Sequence, residues 1–190
     1  MKSVLISIQP KWCELIASGK KTIEVRKTAP KCKTPFKCYI YCTKGKYKRL
    51  VKDTPNGKVV GSGKVIGEFV CNRIDKYYGR LTTYAETPYK NKYVSPEELA
   101  KTCLTLGELN DYLEGKNGYC GNSYFWHISD LKIYDKPKEL GELKHLCQHT
   151  VPNCEDCQYS INEELPFSKL SIGCDRSVEL PPQSWCYVED

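Results

Sequence analysis

The chain has 190 residues, of which 40% are hydrophobic and 27% are charged, and this composition excludes wholesale disorder. Residues 1–92 hold 21 Lys/Arg against 6 Asp/Glu, a balance of +15, whereas residues 93–190 hold 8 against 17, a balance of −9. Clustered cations attract phosphates through counterion release, so the basic half favours an anionic partner such as nucleic acid. Lysines that only keep the protein soluble are the alternative.

The apolar segments of the chain are short. None of them approaches the roughly 20 residues that a membrane-crossing helix needs. Pro10 and Lys11 interrupt the apolar start of the chain before it reaches the length of a secretion signal. We therefore expect a cytoplasmic protein that makes no contact with a membrane.

The first predicted elements are a strand and a helix. Residues 4–8 form a β-branched apolar run that is typical of a buried strand. Pro10 suits the first turn of a helix that ends near Ser18, and Gly19 stands where a left-handed C-cap would follow. Three apolar side chains share one face of this helix: Trp12, Leu15 and Ile16.

Residues 22–26 alternate polar and apolar side chains with a period of two, which predicts a half-buried strand. Its apolar members, Ile23 and Val25, would face a core. Its polar members would then share the opposite face: Thr22, Glu24 and Arg26.

The remainder of the chain predicts further strands around two short helices. Strands are expected over residues 36–43, 58–74 and 124–134, and the second of these should bend at Gly61 and Gly63. Ser95 and Thr105 each open a capping pattern that precedes apolar residues at helical spacing. Strands that surround a few helices without regular alternation favour an α+β fold built on a small, strongly curved sheet or barrel.

The segment Gly19-Lys20-Lys21-Thr22-Ile23-Glu24-Val25-Arg26 fits the pattern G-x-K-T-x-E-x-R. Together with the strand and helix before it and the segment YFWHISDLKIY at 124–134, it resembles the ASCH domain (activating signal cointegrator homology) of bacterial and phage proteins, a branch of the PUA-like superfamily. The resemblance covers roughly residues 3–140 and implies a small PUA-like β-barrel with flanking helices. We therefore expect this domain over residues 1–140 and a Cys-rich extension, which the resemblance leaves unexplained, over 141–190.

The resemblance also implies a cleft at one mouth of the barrel, where relatives are thought to bind RNA or nucleotides. The residues suit that role. Lys21 offers a point charge, Arg26 a planar fork for a phosphate or a base edge, and Trp12 a stacking surface. Thr22 and Glu24 can form hydrogen bonds with a base or a ribose. In the alternative, Trp12 belongs to the core, and Glu24 and Arg26 form a surface ion pair.

Some small relatives are amidohydrolases that act on acetylated cytidine and use a lysine, a threonine and a glutamate. Lys21 matches that lysine, but Glu24 stands where those proteins have the threonine, so the hydroxyl nucleophile is missing from this position. A metal-assisted ribonuclease activity is also attributed to relatives. We therefore expect binding of RNA or a nucleotide, and we keep a hydrolase with Lys21 and Glu24 as catalytic residues as the alternative.

Five of the 12 cysteines lie in the last 44 residues. In a reducing compartment a disulfide framework is not expected, and a Cys-x-x-Cys pair with two further thiols is typical of a structural Zn²⁺ site. The predicted zinc ligands are Cys147, Cys154, Cys157 and Cys174, with His149 or Cys186 as a substitute. A redox pair or free thiols are the alternatives.

The extension over 141–190 is too short to bury a core of its own, so a metal would be its natural stabiliser. We expect this extension to pack on the barrel through Trp185. The acidic half of the chain is a candidate surface for a protein partner.

Overall fold

The structure is a computed structural model that describes residues 2–45, 50–54, 57–60, 62–86, 88–146 and 177–189. Within these ranges it contains eight strands, three α-helices and two short 3-10 helices, at Lys90–Lys92 and Leu140–Glu142. The α-helices and strands in chain order are β1 (Lys2–Ile8), α1 (Pro10–Ala17), β2 (Ile23–Arg26), β3 (Phe36–Cys42), β4 (Leu50–Thr54), β5 (Gly57–Val60), β6 (Lys64–Tyr78), α2 (Pro96–Thr102), α3 (Leu106–Leu113), β7 (Asn122–Lys138) and β8 (Trp185–Glu189).

Six of the described strands form one sheet in the order β2-β7-β6-β3-β1-β8, and β4 and β5 form a separate hairpin. β1 and β3 run parallel, with Val4 opposite Cys38, and the other neighbouring strands of the main sheet run antiparallel. A mixed sheet combined with short helices is an α+β architecture, so the predicted fold class is confirmed.

β6 and β7 are unusually long strands of 15 and 17 residues, and their pairing contains three shifts of register. Shifts of this kind bend the strands that carry them. Gly67 lies beside one shift, where a Cβ atom would come within 2.4 Å of the carbonyl oxygen of Lys132. Only glycine allows the two backbones to approach so closely.

The segment predicted as one strand over residues 58–74 forms two strands in the structure. β5 ends at Val60 and β6 begins at Lys64, and Gly63 between them has a φ of +78°. Gly61 lies outside the described residues. A backbone at positive φ interrupts an extended chain, so Gly63 separates two strands instead of bending one.

The end of α1 and the starts of α2 and α3 lie where the capping residues predict. Gly19 adopts a φ of +73° directly after the C-cap of α1. Ser95 accepts a hydrogen bond from the N–H of Glu98 at the start of α2, and Thr105 and Glu108 form a complete capping box at the start of α3. None of the described helices has the length and apolar character needed to cross a membrane.

Two apolar clusters lie on opposite faces of β7, and β2 contributes to one of them. Ile23 and Val25 are buried in one cluster with Phe125 and with apolar residues of α3. Trp126, the residue after Phe125, is completely buried in the other cluster with apolar residues of β1, β3 and α1. The expectation that Ile23 and Val25 face a core is therefore confirmed.

The last described strand joins the main sheet. β8 pairs antiparallel with β1, and the ring centroid of Trp185 lies 6.2 Å from that of Trp126. The indole N–H of Trp185 donates a hydrogen bond to the hydroxyl of Thr28 at 3.0 Å. Cys186, the predicted substitute ligand, lies on β8. His149 and the four predicted zinc ligands lie outside the described residues: Cys147, Cys154, Cys157 and Cys174.

Candidate functional site

A pocket of about 300 Å³ opens between the C-terminal end of β1, helix α1, strand β2 and helix α3. The Gly19 cap turns the chain from α1 into β2, and this places Trp12 of α1 beside the charged residues of β2. Leu104 and Tyr112 line the side formed by α3 and the turn before it. The volume lies at the lower end of the range for small-molecule pockets.

Three charged residues form the floor of this pocket, and we call them the inner cluster: Lys21, Glu24 and Arg26. One carboxylate oxygen of Glu24 lies 3.3 Å from the ammonium of Lys21, and the other lies 3.1 Å from a guanidinium nitrogen of Arg26. The three residues are only 3%, 6% and 9% exposed. The alternative of a surface ion pair between Glu24 and Arg26 is therefore wrong, because both partners are buried.

Lys21 is held by an acceptor for each of its three N–H groups. Its ammonium donates hydrogen bonds of 2.8 Å to the carbonyl oxygens of Ile23 and Thr102, in addition to its contact with Glu24. It also lies 5.3 Å from the ring centroid of Trp12. An ammonium with three fixed partners ties β2 to the end of α2 and positions Glu24.

Arg26 keeps part of its hydrogen-bonding capacity unused. One terminal nitrogen donates to the carbonyl oxygen of Ser7 and contacts Glu24. The Nε atom is buried and has no hydrogen-bond partner among the described residues. A buried donor without a partner is costly, so this nitrogen is an unsatisfied group beside the pocket that Arg26 lines.

Two aromatic side chains border the inner cluster. Trp12 lies 4.4 Å from the ammonium of Lys11 and also packs against the buried cluster around Trp126. Tyr112 is 43% exposed and lies 5.2 Å from the ammonium of Lys27. Both rings present surface to the same pocket.

Sequence reasoning did not identify the contribution of α3 to the pocket. Tyr112 follows the helical spacing of Leu109 and Leu113, but only the two leucines are buried. Glu108 also lines the pocket, and hydrogen bonds from the backbone and the hydroxyl of Thr105 hold the pKa of its carboxyl below the usual range. The capping box indicated that Glu108 lies at the start of a helix, but the sequence did not indicate that this helix packs beside β2.

The structure places Thr22 away from the inner cluster. It lines a separate pocket of about 460 Å³, whose wall also includes Arg73, Glu98, Lys101 and His127. Its N–H donates to the carbonyl of Lys101, and β2 begins only at Ile23. Strand alternation therefore starts after Thr22, and its side chain does not share the face of Glu24 and Arg26. The pocket brings together the other predicted site residues: Trp12, Lys21, Glu24 and Arg26.

A second charged group, which we call the outer cluster, lies beside this separate pocket: Arg73, Asp75, Glu98 and His127. Ligand atoms of Asp75, Glu98 and His127 lie within 4.8 Å of one another, so this group could hold a metal ion. A guanidinium nitrogen of Arg73 lies 2.9 Å from Asp75, 3.5 Å from Glu98 and 3.0 Å from the Nε2 atom of His127. Arg73 thus places a positive charge beside all three of these groups.

Comparisons of the sequence and of the fold with known proteins both match the ASCH domain. The sequence model of the ASCH domain matches residues 6–137. The fold is similar to crystal structures of ASCH from Zymomonas mobilis, with 18% identity, a TM-score of 0.53 and coverage of 98% of this chain and 87% of that chain. The Y47F mutant of that protein gives 19% identity, a TM-score of 0.51 and coverage of 100% and 91%. No curated protein matches the sequence.

Proposed function

The chain belongs to the ASCH domain family, and we propose that it binds RNA or a nucleotide by seating one base in the pocket above the inner cluster. The observation that supports this proposal is a buried set of charged hydrogen-bonding groups that line one pocket together with two aromatic rings. Aromatic rings bind the faces of bases, and buried polar groups read their edges.

The charges that line the pocket favour a base over a phosphate. Lys21 and Arg26 contribute two positive charges, and Glu24 and Glu108 contribute two negative charges. A lining without net charge gives a phosphate little attraction, whereas a base offers both donors and acceptors. Cations at the border of the pocket are better placed for phosphates: Lys11 lies beside Trp12, and Lys27 lies beside Tyr112.

Each residue of the pocket has a distinct role in this proposal. Glu24 accepts hydrogen bonds from amino groups on the base edge, and Arg26 donates to a ring nitrogen or carbonyl oxygen. Lys21 is a positioning residue, since its three N–H groups are already engaged within the protein. Trp12 and Tyr112 contact the faces of the base.

The alternative, a hydrolase that uses Lys21 and Glu24, receives less support from this geometry. A catalytic lysine would have to break hydrogen bonds to two backbone carbonyls, and Glu24 is paired with a cation at each oxygen. Release of acetate from acetylated cytidine, or cleavage of RNA, that is lost in Lys21→Ala would favour the hydrolase over the binding protein.

Binding is tested by fluorescence anisotropy with short single-stranded RNAs of each base at several salt concentrations. Tyr112→Ala is the sharpest variant because the ring is partly exposed and its loss should leave the fold intact. We expect affinity to fall by about 5- to 100-fold, because stacking contributes about 1–3 kcal/mol per base. Tyr119→Ala is the matched control, since Tyr119 is 77% exposed and does not line the pocket.

Glu24→Gln keeps the shape of the side chain and should change which base is preferred, because an amide can donate as well as accept. Unchanged affinity and preference in both Tyr112→Ala and Glu24→Gln, or the absence of any RNA or nucleotide binding at low salt, would contradict the proposal.

We also propose that the Cys-rich extension holds one structural Zn²⁺, with the ligands Cys147, Cys154, Cys157 and Cys174. Their spacing supports this site. Elemental analysis of protein purified without chelator should give one zinc per chain, and Cys154→Ser with Cys157→Ser should remove it. If zinc is lost in the His127→Ala variant instead, the metal lies in the outer cluster, and the proposed cysteine site is contradicted.

A further inference from the structure

Side chains of three adjacent strands form a row that leads away from the pocket. In the register of β2, β7 and β6, Arg26 lies opposite Tyr124, and Tyr124 lies opposite Lys76. Residues that lie directly opposite each other in antiparallel strands project from the same face of the sheet. Arg26, Tyr124 and Lys76 therefore project side by side, and Tyr78, two residues after Lys76, projects from the same face.

The exposure of this row increases with distance from the pocket. Arg26 is 9% exposed at the floor of the pocket, Tyr124 is half-buried, and Tyr78 is 40% exposed at the outer end. Lys76 is exposed between the two tyrosines. The row thus connects the inner cluster with the surface, without an intervening buried apolar layer.

Lys76 lies between two aromatic rings. Its ammonium is 4.6 Å from the ring centroid of Tyr78 and 5.7 Å from that of Tyr124. A hydrogen bond with Tyr78 raises the pKa of Lys76, so the lysine remains charged at neutral pH. A cation flanked by aromatic faces is the combination that single-stranded nucleic acid binds, through its phosphates and its bases.

No carboxylate of the described residues forms an ion pair with Lys76, and its neighbours in sequence explain why. Asp75 projects from the opposite face of β6, where it pairs with Arg73 and His127 of the outer cluster. Strand alternation thus directs the acid of this segment to one face and the lysine to the other. The face of the row retains an uncompensated positive charge.

We propose that the row Arg26–Tyr124–Lys76–Tyr78 is a second subsite, which binds the nucleotide next to the base in the pocket and so recognises single-stranded RNA instead of a free nucleotide. This inference rests on the proposed function. Adjacent strands are about 4.8 Å apart, so the backbones at Arg26 and Lys76 are about 10 Å apart. The proposal places Lys76 at the phosphate that links the two nucleotides and Tyr78 against the second base.

The test compares a nucleoside monophosphate with a single-stranded hexamer of the same base. Mononucleotide binding is measured by NMR at millimolar ligand, where weak binding is detectable, and hexamer binding by fluorescence anisotropy. The wild type should bind the hexamer at least about tenfold more tightly, since stacking and phosphate contacts each add affinity. Lys76→Ala and Tyr78→Ala should each weaken hexamer binding by about fivefold or more and leave mononucleotide binding within twofold.

Lys132→Ala is the matched control, because it removes the same charge from an exposed position on β7. Lys76→Ala should also reduce the salt dependence of hexamer binding by about one counterion, whereas Tyr78→Ala should not. Effects no larger than that of Lys132→Ala, or a hexamer that binds no more tightly than the mononucleotide, would overturn the second subsite alone.

Two other outcomes concern the pocket. If the wild type fails to bind the mononucleotide, the proposal that the pocket holds a base is contradicted. Hexamer binding that still depends on Lys76 would then support the row as an RNA-binding surface by itself. Equal losses for mononucleotide and hexamer in Lys76→Ala would overturn the second subsite, because the lysine would then act on the pocket.

Discussion

The inner and outer clusters contain the same chemistry in different surroundings. Each combines acidic with basic side chains, and each lies between a strand of the β2-β7-β6 segment and a nearby helix. The side chain of Glu24 in the inner cluster is 8% exposed, whereas those of Asp75 and Arg73 in the outer cluster are 29% and 58% exposed. Water can solvate the outer charges, but the inner charges depend on one another.

This difference indicates which cluster the fold depends on. Removing one partner of a buried ion pair leaves a charge without compensation, whereas an exposed pair contributes little to stability. The inner cluster also lines a pocket to which Trp12 and Tyr112 contribute aromatic rings.

The largest expected effect is that of Glu24→Ala. This change leaves Lys21 and Arg26 buried without their shared carboxylate, and we expect the free energy of unfolding to fall by about 3–5 kcal/mol. Urea denaturation measures the loss. Asp75→Ala, the equivalent change in the outer cluster, should cost clearly less, because the side chains of Asp75 and its partner Arg73 are 29% and 58% exposed. Equal losses of stability in the two variants would contradict the claim that the fold depends more on the inner cluster than on the outer one.

A smaller loss is expected for Lys21→Met. The remaining Glu24 and Arg26 still balance each other, but the carbonyls of Ile23 and Thr102 lose a buried donor. Each unpaired carbonyl costs about 1–3 kcal/mol, so the variant should be clearly destabilised in the same urea experiment. Lys101→Met on the exposed surface of α2 is the control, and a comparable loss there would show that the contacts of Lys21 are not responsible.

Thr105→Ala removes the N-cap of α3, the helix that brings Glu108 and Tyr112 to the pocket. We expect a loss of about 1 kcal/mol and weaker RNA binding, because the first turn of α3 would fray beside the inner cluster. Thr105→Ser, which keeps the hydroxyl, should behave like the wild type. A variant that loses stability without any change in binding would separate α3 from the function of the pocket.

The smallest effect is expected for Arg73→Ala in the outer cluster. Its guanidinium is more than half exposed, so its removal should change stability by less than about 1 kcal/mol. Salt should weaken this effect further because exposed charges are screened, whereas the loss in Glu24→Ala should persist at about 1 M NaCl. A large or salt-independent effect of Arg73→Ala would show that the outer cluster also stabilises the fold.

Much of the fold could be predicted from local sequence. Gly19, Ser95 and Thr105 cap the helices as their residue types indicate, and Ile23 and Val25 enter a core as alternation predicts. These outcomes depend on residues within a few positions of one another. The division at Gly63 was missed, because a strand with a bend and two strands with a turn have the same glycine pattern.

Only part of the site could be predicted from the sequence, because local patterns report on residues that are close together in the chain. Trp12, Lys21, Glu24 and Arg26 lie within 15 consecutive residues, so one motif could indicate them together. Thr22 belongs to that motif, but it precedes the first residue of β2 and lies in the other pocket. Tyr112 comes from a helix more than 80 residues away, and no local pattern distinguishes it from the buried leucines beside it.

The sequence by itself therefore determined the family, the caps and the chemical groups of the inner cluster. Only the tertiary structure decided that these charges are buried, that α3 closes the pocket, and that Lys76 lies in line with Arg26 across β7. The physical reason is that caps and alternation arise from neighbouring residues. Burial and cross-strand register arise when elements distant in the chain pack together.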